Sequence, residues 1–314
     1  MPARSVGVAN IIFLGGFQVS LADWFRILLL SLLWGCSFFF VEITLESFGI
    51  LTLVMLRVGI AAAFLMLYCM ARGIPLALSP RVLGGLAIVA LLQNVLPFSL
   101  IAAGQIQITS GLTAILIAAT PLFTVLLGHV WPGGEPITPA KLGGVLIGMV
   151  GVAVLMGSDA IAGISGSLLG QLSVLAAAFI YAVSGLYARR FRDLRPSVIS
   201  TWMLLLAALI LAPFAFVFET PLSPLPDLSG VAAMVGLALL STAFAFLLYF
   251  RVLASAGATN ALLVTFVQPP VAILLGVLFL HEAFLPHHLM GMALIFIGLT
   301  LVDGRVVRLV TRRA

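Results

Sequence analysis

Charged side chains are scarce in this sequence. Lysine, arginine, aspartate and glutamate make up 8% of the 314 residues, whereas hydrophobic residues make up 63%. Ordinary soluble domains carry about 25% charged residues, and the mean hydropathy of this chain is +1.28. A soluble fold of this size could not hide so much apolar surface from water. The composition therefore excludes a soluble globular protein and indicates a protein that crosses a membrane many times.

Cysteine is nearly absent as well. Cys36 and Cys69 are the only two cysteines, and both lie in apolar runs. A small buried thiol behaves as a hydrophobic side chain. We therefore expect two buried thiols and no disulfide framework.

Clusters of reactive side chains are missing too. The four histidines and ten acidic residues are scattered along the chain, and a membrane-embedded enzyme would need them gathered at helix ends. The nearest approach to a metal site, His281, Glu282, His287 and His288, fits no zinc spacing, and a role at a helix entry explains Glu282 better. No Walker A loop indicates an ATP motor, and no filter-like loop indicates a channel. We expect no enzymatic activity, no metal and no cofactor.

Long apolar runs fill the rest of the chain. A helix needs about 20 apolar residues to cross the hydrocarbon of a bilayer. Ten stretches approach this length, at residues 24–44, 49–70, 82–104, 109–130, 139–157, 167–188, 197–218, 229–250, 257–280 and 286–303. Their connections are short, so no soluble domain is expected. The predicted fold class is an all-α integral membrane protein with ten transmembrane helices.

The basic residues indicate how these helices are oriented. A net charge of +5 is compatible with a nucleic-acid partner, but the basic residues are distributed by membrane side instead, so no nucleic acid is expected. With the N-terminus inside, fourteen of the fifteen basic residues fall on the inner side: Arg4, Arg26, Arg72, Arg81, Lys141, Arg189, Arg190, Arg192, Arg195, Arg251, Arg305, Arg308, Arg312 and Arg313. The outer loops hold only acidic charges: Glu46, Asp159, Glu219, Asp227 and Glu282. Cytoplasmic loops carry the excess of basic residues, so both termini are predicted to be cytoplasmic.

Two short tails flank the predicted helices. In residues 1–23, Arg4 and the apolar patch after it resemble a weak signal peptide, but glycines interrupt the patch and no small-residue cleavage site follows. We interpret this segment as a cytoplasmic or interfacial tail. Residues 304–314 are predicted to form a basic cytoplasmic tail.

The chain also repeats itself. A shift of 147 residues pairs Glu135 with Glu282, and a shift of 148 pairs Pro121 with Pro269. The first shift also aligns glycines in the predicted fifth and tenth helices: Gly144 with Gly291, Gly151 with Gly298, and Gly157 with Gly304. The repeats are predicted to span residues 24–157 and 167–303. Because each contains an odd number of helices, the second enters the membrane from the opposite side, as in secondary transporters.

Four segments carry a family resemblance. They read LLWGCSFFF, MLRVGIAAAFL, SGLTAILIAATPLFTVLLG and LYFRVLASAGATNALLVTFVQPPVAILLGVLFLHE. With them the chain resembles the drug/metabolite transporter superfamily, specifically EamA-type permeases with ten helices in two five-helix halves, over residues 24–303. The resemblance implies a multi-pass protein of the cell (inner) membrane that exports a small-molecule substrate, such as an amino acid or a related compound, by alternating access. A nucleotide-sugar or other anion carrier is the alternative, although it would need more cavity cations than Arg57.

Arg57 is the one basic residue inside a predicted span. A lone arginine near the bilayer centre costs about 2.5–3.5 kcal/mol even on lenient scales. Glu42 lies at a comparable depth on the preceding helix. We expect Arg57 to form an ion pair with Glu42 or to bind free carbonyls, and the alternative is that it receives an anionic group of the substrate. An arginine at this place is usual in the resembled family whatever the substrate, which favours the structural role.

Prolines and polar side chains mark a candidate substrate path. Pro121, Pro269 and Pro270 are predicted to interrupt the fourth and ninth helices, because proline removes a helical hydrogen bond and frees a carbonyl, here near Ile117 and Thr265. Kinks that serve packing alone are the alternative. The candidate cavity residues are Trp34, Phe38, Arg57, Gln93, Asn94, Thr113, Thr120, Tyr181, Trp202, Tyr249, Asn260, Thr265 and Gln268.

Glycines seven residues apart mark the fifth and tenth predicted helices. They are Gly144 with Gly151 and Gly291 with Gly298. Small residues allow transmembrane helices to approach closely. The spacing predicts close helix packing and suggests the seam of a homodimer.

Overall fold

The computed structural model of the chain describes residues 20–132, 137–156, 166–221, 225–256 and 264–303. Over these residues the protein is all helical and contains no strand. We number the helices α1 to α10. They are α1 Leu21–Leu45, α2 Ile50–Ala71, α3 (Pro80–Ala90, Leu91–Val95 and Leu96–Gln105), α4 (Ser110–Ile117 and Thr120–Val130), α5 Pro139–Met156, α6 Gly166–Ala188, α7 Pro196–Phe218, α8 (Leu228–Ala238, Leu239–Phe244 and Ala245–Ala256), α9 Val264–Phe279 and α10 Pro286–Asp303.

Seven of the described helices are long and apolar enough to cross a membrane, namely α1 to α4 and α6 to α8. The other three, α5, α9 and α10, contain shorter apolar stretches. Large apolar side chains such as Phe25 and Leu67 point outward and are 66% and 65% exposed, as expected where lipid is the solvent. The protein is therefore a multi-pass membrane protein.

The helix starts follow from local sequence. Four helices begin at a proline, namely Pro80, Pro139, Pro196 and Pro286. Proline suits the first helical position because the N–H it lacks would have no partner there. Ser79, Thr109 and Asp227 cap α3, α4 and α8 by accepting a backbone N–H with the side-chain oxygen.

Two helices contain a π-helical segment. Leu91–Val95 lies in the middle of α3, and Leu239–Phe244 lies in the middle of α8. The two segments begin 148 residues apart, and the same interval pairs Pro121 with Pro269. A π segment adds a residue to one helical turn and is frequent at functional sites.

The glycine pairs allow α5 and α10 of the same chain to pack closely against each other. A Cβ atom placed on Gly144 would lie 2.6 Å from the carbonyl oxygen of Gly298, and one on Gly291 would lie 2.8 Å from that of Gly151. The predicted close packing is therefore confirmed, but its two sides belong to the same molecule. These glycines do not form a dimer seam, and the homodimer stays a prediction without their support.

The predicted proline breaks are right for one helix and wrong for the other. α4 is interrupted at Ala118 and Ala119, just before Pro121. α9 continues through Pro269 and Pro270, which lie in its second turn. Membrane helices tolerate proline because neighbouring groups can satisfy the freed carbonyls, so a proline alone does not force an interruption.

Candidate functional site

Arg57 is buried between four helices. Its side chain is 6% exposed. The Nε of Arg57 donates to the hydroxyl of Thr242 in α8 at 2.9 Å, and Nη2 donates to the hydroxyl of Ser37 in α1 at 3.1 Å. The guanidinium carbon lies 3.8 Å from the ring centre of Phe98 in α3. Together these residues form a polar centre, which we call the Arg57 centre.

The predicted ion pair between Arg57 and Glu42 is wrong. The carboxylate of Glu42 accepts instead from Nε2 of Gln105 at 3.1 Å. Arg57 reaches α1 at Ser37, and Glu42 lies five residues further on. At 100° per residue those two positions face different sides of α1, so one arginine cannot contact both. Within the described ranges no carboxylate lies within ion-pair distance of Arg57.

Asn94 is the second unusual polar group near this centre. It is 0% exposed, and neither side-chain atom has a hydrogen-bond partner among the described residues. It lies in the π segment of α3, four residues before Phe98. Tyr181 of α6 contacts the same core and lies close enough to the guanidinium to interact with its charge. The structure thus brings together two of the predicted residues, Arg57 and Tyr181, and places Asn94 about one turn along α3 from Phe98.

An aromatic wall lies beside the Arg57 centre. The ring of Trp34 in α1 lies 5.5 Å from the ring of Tyr249 and 6.5 Å from the ring of Phe246, both in α8. Phe246 follows Thr242 by four residues, so the wall is about one helical turn away from the contact between Arg57 and Thr242. Two predicted cavity residues, Trp34 and Tyr249, are therefore neighbours.

Other predicted residues have structural partners. Trp202 donates from its indole nitrogen to the carbonyl of Leu76, in the loop between α2 and α3, at 2.7 Å. Thr113 donates to the carbonyl of Thr109 at 3.0 Å. Thr120 donates at 2.7 Å to Ile117, whose carbonyl was predicted to be free. Trp202, Thr113 and Thr120 thus serve local structure and lie outside the Arg57 centre.

The remaining predicted residues are spread over three helices. Phe38 packs in a buried cluster with Ala114 and Ala272, against which Tyr181 also packs. Gln93, Thr265 and Gln268 are partly buried on α3 and α9. Asn260 lies outside the described residues.

Ser37, Phe98 and Thr242 were not predicted. Serine and phenylalanine are common in membrane helices and carry little signal. Thr242, however, lies 148 residues after Asn94, at the interval that relates the two halves. Extending the repeat to the third and eighth helices would have found it.

Carboxylates tie the helix ends together on the face where α2 and α4 begin. Glu219, after α7, accepts the backbone N–H groups of Leu51 at 2.9 Å and Thr52 at 2.8 Å, at the start of α2. Glu282, after α9, accepts those of Ser110 and Gly111, at the start of α4. Capping was predicted for Glu282, but at the entry of α10.

The opposite ends of α1 and α8 are also tied. Asp23 accepts from Arg26 at 2.6 Å and from the hydroxyl of Ser255 at 2.6 Å. Ser255 lies at the end of α8 and Asp23 at the start of α1. Polar contacts therefore hold the helix ends together on both faces, with the Arg57 centre buried between them.

Comparison with known proteins identifies relatives. A sequence profile of the EamA-like transporter family matches residues 24–157 and, separately, 168–302. The uncharacterized transporter YoaV of Bacillus subtilis is 26% identical over 274 residues, which cover 87% of this chain and 94% of that protein. A protein of Streptantibioticus cattleyicolor named "Probable terminal-alkyne amino-acid exporter" is 26% identical over 298 residues, which cover 92% of this chain and 95% of that protein. A solved crystal structure, 22% identical in sequence, has the same fold with a TM-score of 0.66 over 93% of this chain and 98% of its own.

Proposed function

The chain belongs to the EamA-like transporter family, and from that premise we propose that it exports amino acids or related zwitterionic metabolites across the inner membrane of the cell. Transport would be secondary, without an ATP motor. The substrate would bind between the two halves of the chain, near the middle of the bilayer, where transporters with repeated halves bind their substrates.

The buried charge of Arg57 carries the proposal. A guanidinium has five N–H groups, and the described residues accept only two of them, one at Nε and one at Nη2. Both hydrogens of Nη1 and one of Nη2 are left. This edge of the group can bind a carboxylate through two parallel hydrogen bonds. A buried cation without an acidic partner is expensive, and a substrate carboxylate would supply the missing charge.

The aromatic wall supports an amino acid over a simple anion. Trp34, Phe246 and Tyr249 present ring surface beside the charged centre, which suits an apolar side chain. The named amino-acid exporter among the relatives supports the same class. A nucleotide sugar typically carries two phosphate groups, and Arg57 is the one cation among the described residues of this centre.

Alternating access fits the contacts at the two faces. The bonds of Glu219 and Glu282 hold the helices on one face, and the bonds of Asp23 hold α1 against α8 on the other. Opening one face requires that only one of these sets separates. We propose that the ten helices form two inverted five-helix repeats, so that the same movement opens either face.

Flux measurements test this proposal. Purified protein in lipid vesicles is assayed for counterflow with a panel of the twenty protein amino acids, dicarboxylates, nucleotide sugars and neutral sugars. We expect flux of one or more amino acids and its loss in Arg57→Ala. Flux of nucleotide sugars alone would overturn the proposed substrate class, and no flux of any compound would overturn the proposed transport function.

A further inference from the structure

The two π segments carry polar side chains at matching places. Asn94 is the fourth residue of Leu91–Val95, and Thr242 is the fourth residue of Leu239–Phe244. Thr242 donates its hydroxyl to the carbonyl of Leu237, five residues earlier, at 2.8 Å and accepts from Arg57. One π segment thus already contributes to the Arg57 centre.

Asn94 differs from Thr242, because its amide is fully buried and has no hydrogen-bond partner among the described residues. Buried polar groups in folded proteins are nearly always hydrogen-bonded, so an exception needs an explanation. The amide serves no hydrogen bond within the fold, since neither Oδ1 nor Nδ2 has a partner among the described residues. A ligand that binds only during the transport cycle would supply a partner for Oδ1.

The position of Asn94 points toward the Arg57 centre. It precedes Phe98 by four residues, which is about 6 Å or one turn along α3. Residues four apart share a helix face, and Phe98 lies directly against the guanidinium of Arg57. Asn94 therefore lies about one turn along α3 from the residue whose ring contacts the guanidinium.

We propose that Asn94 is the residue that recognises the free amino group of the substrate. The carboxylate of an α-amino acid binds Nη1 and Nη2 of Arg57, and its ammonium group donates to Oδ1 of Asn94. The hydroxyls of Ser37 and Thr242 already accept from Arg57, whereas Oδ1 of Asn94 has no donor among the described residues. This inference rests on the proposed function. It adds that the transporter is specific for substrates whose amino group is unmodified.

The test compares derivatives of one substrate. The amino acid with the highest flux in the vesicle panel is competed with its N-acetyl derivative, its methyl ester and the corresponding 2-hydroxy acid. For the unmodified protein we expect each derivative to compete at least tenfold more weakly. In Asn94→Leu the affinity for the amino acid should fall at least tenfold, and the N-acetyl derivative and the hydroxy acid should compete as well as the amino acid does.

Two controls separate recognition from folding. Ser200→Ala removes another buried hydroxyl, near the start of α7, that has no partner in the part of the chain that the structure describes, and it should leave affinity and discrimination unchanged. The melting temperature of Asn94→Leu should equal or exceed that of the unmodified protein, because an amide without a partner is removed.

Three results would overturn the inference. They are unchanged affinity in Asn94→Leu, a drop in its melting temperature in parallel with its flux, and discrimination against the N-acetyl derivative that survives the substitution. In each case flux of the amino acid by the unmodified protein would leave the proposed function standing. Absence of amino-acid flux in the unmodified protein would overturn the proposed substrate class and this inference together.

Discussion

Arg57 shows at the scale of one residue how this chain accommodates a buried charge. Two hydroxyls and the face of an aromatic ring surround the guanidinium. Hydrogen bonds and a cation–π contact lower the cost of burial, but they supply no negative charge. A charge buried without a negative partner is expected to lower the free energy of unfolding, and such residues are retained where they serve function.

Replacing Arg57 with an apolar residue tests that expectation. Methionine is flexible and of similar length, and it needs no hydrogen bonds when buried. We expect Arg57→Met to abolish flux while the free energy of unfolding stays unchanged or rises by up to about 2 kcal/mol. Thermal unfolding in detergent and counterflow on the same preparation provide the measurements. A loss of several degrees in melting temperature would show instead that Arg57 mainly holds the helices together.

At the scale of the helices, some structural features could be predicted from the sequence and others could not. The apolar helices and the close packing of the glycines of α5 and α10 depend on local chemistry, and they were predicted correctly. The partner of Arg57 was not, because it depends on the rotation of α1, which places Ser37 and not Glu42 toward α2. The π segments were not predicted either, since the same side chains can support an α-helical turn.

The start of α8 supports a prediction about pH. Asp227 accepts hydrogen bonds from the hydroxyls of Ser229 and Ser47 and from the backbone N–H of Gly230. These bonds, led by that of Ser229, lower the pKa of the Asp227 carboxyl to about 2. The unfolded chain has the usual pKa of about 3.9. The charged form therefore stabilises the fold above about pH 4, and this contribution is lost as the pH falls from about 4 toward 2.

The matched variant is Asp227→Asn, which keeps a capping side chain without the charge. The difference in melting temperature between the unmodified protein and this variant should be constant from pH 7 to 5 and should shrink below pH 4. A difference that persists unchanged at pH 3 would contradict the lowered pKa of Asp227.

Neighbouring glycines in α5 allow a sharp test of helix packing. A Cβ on Gly144 would lie 2.6 Å from the carbonyl oxygen of Gly298, whereas a Cβ on Gly143 would meet nothing within 4 Å. Overpacking costs about 1–3 kcal/mol, and alanine is favoured over glycine in a helix by about 1 kcal/mol. We therefore expect Gly144→Ala to lower the melting temperature and Gly143→Ala to leave it unchanged or raise it. Equal effects of the two substitutions would show that α5 and α10 do not pack through Gly144.

At the scale of the whole molecule, three observations indicate the same internal repeat. The glycine and proline matches, the two π segments and the separate profile matches to residues 24–157 and 168–302 all relate one half of the chain to the other. The central pair, Asn94 and Thr242, comes one from each half. Because a substrate bound between them would contact both halves, it could be released to either side when the halves move relative to each other.

The two halves can serve opposite sides of the membrane only if the helices have the proposed orientation. This orientation can be measured by cysteine labelling. After Cys36 and Cys69 are replaced by alanine, single cysteines are introduced at four exposed positions. Ile106→Cys and Leu225→Cys replace side chains that are 57% and 86% exposed, and both are predicted to lie outside. Arg72→Cys and Arg192→Cys are predicted to lie inside. A membrane-impermeant maleimide added to intact cells should label the first pair, and the second pair should react only after permeabilisation.

The pairs are chosen so that a single missed crossing between α3 and α7 is detected. Ile106 and Arg72 flank α3, and Leu225 and Arg192 flank α7, so each half of the chain carries one site on each side. If one helix between them failed to cross, every later site would change sides. Labelling of Arg192→Cys from outside, with Arg72→Cys protected, would place the error between α3 and α7. It would also end the inverted repeat, because both halves would then enter the membrane from the same side.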